Sequence, residues 1–141
     1  MAAKFGPAGN SESFYAAGLK STHQAPRWLN EMGLDLYEYQ CGQGVRGSDE
    51  AFIKVGEEAK KYGIQMSLHA PYFISLSGIE EEKRLKSIDY IRQSVHAAEL
   101  MGAGIIVIHT VTDKLTRLLP DIVVKMSNKS ILLKNRYKFS R

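Results

Sequence analysis

The sequence predicts an α/β chain of parallel strands joined by helical crossovers. Three observations carry this reading. Clear helical periodicities are bounded by start and stop residues, short strand-like runs lie between them, and the strand centres fall near residues 5, 36, 66 and 107. Spacings of roughly 30 to 40 residues match one βα unit of a (β/α)8 barrel. An open doubly wound sheet has a similar repeat. Both place functional groups at the carboxyl ends of the strands.

Taken in order, Lys4–Pro7 is a short strand candidate, and Ser11–Tyr15 is long enough for one helical turn. Trp28, Leu29 and Met32 define a helix that tolerates Pro26 near its first turn and stops at Gly33. Leu34–Cys41 reads as a strand. Ser48 then caps a helix over 49–62, with Asp49 and Glu50 complementing its dipole, Phe52, Val55, Ala59 and Tyr62 on one face, and Gly63 after its end. Ile64–His69 is the next strand. The longest helix spans about 80–101, with Leu85, Ile88, Ile91, Val95 and Ala98 as its apolar stripe and Gly102 as its stop. Ile105–His109 is the fourth strand.

Beyond Thr110 the pattern changes. Leu115, Leu118 and Leu119 start a helix that Pro120 interrupts, and the runs 122–124 and 131–133 flank Ser127-Asn128-Lys129 as a hairpin would. The charge changes too. Residues 1–111 hold 11 Lys and Arg against 13 Asp and Glu, whereas 112–141 hold eight basic residues against Asp113 and Asp121, so the net charge of +4 belongs to the tail. A basic protein suggests an anionic partner, but a short lysine-rich end also reads as a solvated terminus. The organisation expected is therefore a barrel-type region over 1–111 and a divergent basic tail over 112–141.

The rest of the composition narrows the class. With 44% apolar and 24% charged residues the chain is an ordinary globular one. No apolar run reaches the ~18 to 20 residues of a membrane span, and the start lacks a secretory layout, so no membrane role is expected. One cysteine, Cys41, fits a reducing compartment, and a cytoplasmic location is the expectation.

His69 and His109 are the most informative pair. Each ends a strand, and alternation puts His69 on the face of Gln65 and Ser67 and His109 on that of Ile105 and Val107. On neighbouring strands about 4.8 Å apart, both imidazoles project from one end of the sheet. Two nitrogens on one zinc, each ~2.0 to 2.1 Å from it, lie roughly 3 to 3.5 Å apart. Either histidine alone reads more readily as a strand cap bonded to a backbone carbonyl; for the matched pair the two readings stand level.

Gly42-Gln43-Gly44-Val45-Arg46-Gly47 spells a dinucleotide fingerprint, but the strand before it holds Glu38 and Gln40, and no acidic ribose ligand ends the next strand. A glycine-rich loop presenting Arg46 accounts for it better; an arginine there is more commonly an ordinary exposed one, and its alternative role is to meet a phosphate. Past His69, Pro71 stiffens a loop carrying Tyr72 and Phe73; an exposed Tyr72 has the shape to stack on or wedge beside a base. Cys41 reads as packing. His23 and His96 lie away from strand ends, and Glu80-Glu81-Glu82 reads as a solvated first helical turn.

Lys4-Phe5-Gly6-Pro7-Ala8-Gly9, Tyr37-Glu38-Tyr39-Gln40-Cys41-Gly42 with Gly44-Val45-Arg46, Ser67-Leu68-His69-Ala70-Pro71-Tyr72, Glu82-Lys83-Arg84 with Ser87, and Ile108-His109-Thr110 together resemble endonuclease IV over residues 4–110. That family cleaves DNA at abasic sites on a xylose isomerase-like TIM barrel. The resemblance implies an α/β fold comprising roughly the first four units of a (β/α)8 barrel, followed by an irregular basic tail. It implies base excision repair as the setting and DNA containing abasic sites as the partner. Up to three zinc ions serve the family, with His69 and His109 as ligands of one of them, and Arg46 and Tyr72 stand where the family's loops enter the minor groove. No catalytic residue is assigned.

The chain also departs from the family. Pro7 stands where many members carry a histidine, Val111 replaces a glycine, and the strand-five glutamate that completes the zinc has no counterpart. A full barrel takes about 250 residues. The expectation is a truncated or frame-altered relative with an incomplete zinc site and weak or absent activity alone. A sugar isomerase or epimerase of the same superfamily, or a non-catalytic half-barrel that self-associates through its uncovered face, are the alternatives.

Overall fold

The computed structural model describes residues 3–109, 122–127 and 130–132, the last two stretches as backbone. The readings that fall on Thr110, Val111, Asp113, Leu115, Leu118, Leu119, Pro120, Asp121, Asn128, Lys129 and Leu133 lie outside them. The elements run α1 (Glu12–Ala16), a 3-10 turn (Thr22–Gln24), α2 (Ala25–Glu31), β1 (Leu36–Gln40), α3 (Asp49–Lys61), β2 (Gln65–His69), α4 (Glu81–Met101), β3 (Ile105–Ile108), β4 (Ile122–Ser127) and β5 (Ser130–Leu132). The sheet order is β1-β2-β3-β4-β5. The first three strands are parallel and joined by α3 and α4.

Caps and charges place the helices where the sequence expects them. Ser48 accepts from the Ala51 amide at α3, Asp49 and Glu50 fill its first turn, and Lys60 and Lys61 its last. Gly102, left-handed at φ 67°, ends α4. The helix-facing side of the sheet holds Tyr37, Met66, Leu68, Ile106 and Ile108, packed with Phe52, Val55 and Ala59 of α3 and Ala97, Ala98 and Met101 of α4. Gly56 lets the two helices approach closely: a Cβ there would lie 2.8 Å from the Met101 carbonyl oxygen.

Three expectations need correcting. Residues 4–7 are not a strand. Phe5 and Pro7 carbonyls accept from Asp35, Leu36 and Glu38, yet only Ala8 forms a bridge, to Glu38. Pro7 has no amide proton to donate to a ladder. In α4 the expected stripe holds at Ile91, Val95 and Ala98, which pack against the core, but Leu85 is 59% and Ile88 38% exposed, and Ser87, Ser94, Ala97 and Met101 share the buried face. The serines can turn inward because the Ser94 hydroxyl donates to the Tyr90 carbonyl and Ser87 Oγ lies 2.8 Å from that of Lys83. Finally, the tail is not irregular throughout. The hairpin expected around 122–124 and 131–133 occurs as β4 and β5, and β4 pairs antiparallel with β3. This part of the tail therefore has regular structure.

Candidate metal centre

Register brings the histidines together. His69 pairs with Val107 across the parallel β2–β3 ladder, so His109 lies two residues further along the same face. Gln40 of β1 pairs with His69. The face turned away from the helices therefore ends in Gln40, His69 and His109 at the carboxyl edge, with Glu38 and Ser67 one layer below.

The two Nε2 atoms are 3.0 Å apart. His69 is buried, and its Nδ1 lies 2.8 Å from the Ala70 carbonyl oxygen. A carbonyl only accepts, so Nδ1 carries the proton and Nε2 keeps its lone pair. This is the arrangement in which a backbone carbonyl orients a metal-binding imidazole. The same 3.0 Å suits a hydrogen bond from His109 to His69 when no cation is present. The donor set thus fits one edge of a tetrahedral zinc site. Among the described residues, no group of three or more His, Cys, Asp or Glu side chains comes together to complete it.

Tyr72 stands against this pair. Its ring centroid is 4.8 Å from that of His69 and 6.2 Å from that of His109. It is 56% exposed, and its hydroxyl lies 3.4 Å from Gln40 Oε1. Arg46 is exposed on the loop after β1, on the same edge, and shares none of these contacts. The loop after β2 is anchored to α4. Ser87 Oγ accepts from the Ser75 amide, Arg84 Nη1 donates to the Gly78 and Ile79 carbonyls, and Phe73 packs edge-on against Tyr90 at 4.7 Å.

Glu38 and Gln40 belong to this edge, a role that the sequence reading did not assign them. The signal was present: two polar residues at alternate positions of a strand whose other face is apolar. Cys41 points to the helix side, where burial raises its thiol to about 11, so it stays protonated at neutral pH. His96 pairs with Asp49 at the start of α3, 3.0 Å away. A cavity of 790 Å³ lies at the opposite end of the sheet, lined by Leu36, Gln65, Ile105 and helix residues such as Ile53 and Gly56. It is remote from the histidines and offers mainly apolar surface.

A family model described as xylose isomerase-like TIM barrel matches residues 26–123. A crystal structure of D-psicose 3-epimerase, solved in the presence of D-fructose, is similar at a TM-score of 0.52 and 14% identity. The similarity covers 60% of this chain and 30% of that one, and it shows the fold alone. No curated protein matches the sequence. Among the described residues no helix is long and apolar enough to cross a membrane.

Proposed function

The chain belongs to the xylose isomerase-like TIM barrel family, and on that premise we propose that it carries part of a zinc-dependent phosphodiesterase centre of the endonuclease IV type, acting at abasic sites in DNA. The observation that carries the proposal is the 3.0 Å separation of His69 and His109 Nε2 at the carboxyl edge of the sheet. His69 and His109 hold the metal, and the Ala70 carbonyl keeps His69 in the tautomer that binds it. When bound, zinc supplies Lewis-acid chemistry toward a phosphodiester. The Arg46 guanidinium meets a backbone phosphate. Tyr72 presents an aromatic surface beside the lesion, where extruding the nucleotide costs little because no base pair is lost.

The polar inner face formed by Glu38, Gln40 and Ser67 favours a second reading, a sugar isomerase or epimerase, the similar solved structure being named as a D-psicose 3-epimerase. Carboxylate, amide and hydroxyl groups on one face suit a polyhydroxylated ligand. Binding separates the two: a duplex with an abasic-site analogue retained in preference to intact duplex favours the first reading, and saturable binding of a ketose without DNA binding favours the second.

The metal assignment is tested by elemental analysis of the desalted chain after zinc loading. Wild type is expected to retain zinc, while His69→Ala and His109→Ala fall to background. Equal zinc in all three would overturn the assignment.

A further inference from the structure

We propose that Glu38 and Gln40 form a positioning pair that holds Tyr72 across the dihistidine edge. Gln40 Nε2 lies 2.8 Å from Glu38 Oε1. An ionised carboxylate accepts and cannot donate, so the amide must turn its NH2 toward Glu38. That leaves Gln40 Oε1 facing Tyr72, and the phenol at 3.4 Å is the donor. Glu38 thus determines which end of the Gln40 amide Tyr72 meets.

The other constraints act in the same direction. The Tyr72 ring lies on the backbone of Gly42, where a Cβ would fall 2.5 Å from Cε2 and 3.0 Å from Cδ2. Only glycine permits that approach without displacing the ring. Glu38 is itself held by main-chain bonds on both sides, its amide to the Pro7 carbonyl and its carbonyl to the Gly9 amide. The chain of contacts therefore runs from the amino-terminal segment through β1 to the tyrosine, and from there to the imidazoles. With its ring centroid 4.8 Å from that of His69, Tyr72 walls one flank of the Nε2 edge. The use of this wall in metal chemistry rests on the proposed function; the positioning itself does not.

The test is therefore run on the metal-free 141-residue chain, reading the imidazole proton resonances of His69 and His109 by NMR, assigned with His→Ala variants. Tyr72→Leu is expected to shift both, His69 more than His109, by removing the ring current. Gln40→Met, and Glu38→Leu as a second variant should Gln40→Met fail to fold, are expected to shift them in the same direction. The exchanged double variant Glu38→Gln/Gln40→Glu rebuilds one donor and one acceptor and is expected to restore the wild-type positions, which a merely structural role for Gln40 does not require. His23 and His96 serve as internal controls and stay in place. The proposal is overturned if Tyr72→Leu leaves the resonances unmoved, if the folded Gln40 and Glu38 variants keep wild-type positions, or if the double variant does not restore them. Zinc uptake plays no part in this readout, so either result stands apart from the fate of the metal assignment.

Discussion

His69 shows how one residue acquires a chemical role through its surroundings. Burial alone would make it a core imidazole, but the Ala70 carbonyl accepts a hydrogen bond from its Nδ1–H and strand register aims its Nε2 at His109. Cys41, one strand away, has the opposite fate because it faces the helices. Desolvation moves its thiol from an ordinary 9.0 to about 11. The raised value means that folding favours the protonated thiol. Its contribution to stability is fully present below pH 9 and is lost as pH rises through 11. Disulfide-exchange reagents at pH 8 are expected to label Cys41 far more slowly in the folded chain than in urea. Equal labelling rates in the two states would show that the thiol is accessible and ordinary.

At the scale of elements, α4 is the instructive case. Leu85 and Ile88, at the start of the stripe visible in the sequence, are exposed, while Ile91, Val95 and Ala98 of that stripe pack against the core beside Ser87, Ser94, Ala97 and Met101. The close approach of α3 at Gly56 and the anchoring of the 70–80 loop select Ser87, Ser94 and Ala98 for the interior. Periodicity locates a helix, but rotation about its axis depends on what packs against it. Ser87→Ala removes the side-chain acceptor of the partly buried Ser75 amide. It is expected to cost about 1–3 kcal/mol, read as a lower urea midpoint, with faster amide exchange at Ser75. An unchanged midpoint and unchanged exchange would mean that the loop is held by Arg84 and Phe73 alone.

For the whole molecule, the described part is a partial barrel whose β3 edge is covered by β4 rather than by a further parallel strand. Edge pairing of this kind satisfies backbone groups that would otherwise invite association. It does not bring a third metal-ligating side chain to the histidines from among the described residues. The isolated chain is therefore expected to cut an abasic duplex slowly or not at all even with zinc present, as followed by gel with a labelled strand. Rapid cleavage abolished by a chelator would show that the remaining ligands come from elsewhere in the chain or from a second copy.

Much of this was legible in the amino-acid order. The cap at Ser48, the stops at Gly63 and Gly102, and the alternation ending at His69 all reflect local backbone preferences, which act over a few residues and leave their mark in the letters. The two histidines could be paired because their strands recur at the βα interval. What only tertiary structure decided lies across strands and between helices: the contact of Gln40 with Tyr72, the seat of that ring on Gly42, the serine face of α4 and the β4 pairing on β3. These depend on register, axial rotation and close approach between segments distant in sequence, and no local pattern specifies such quantities.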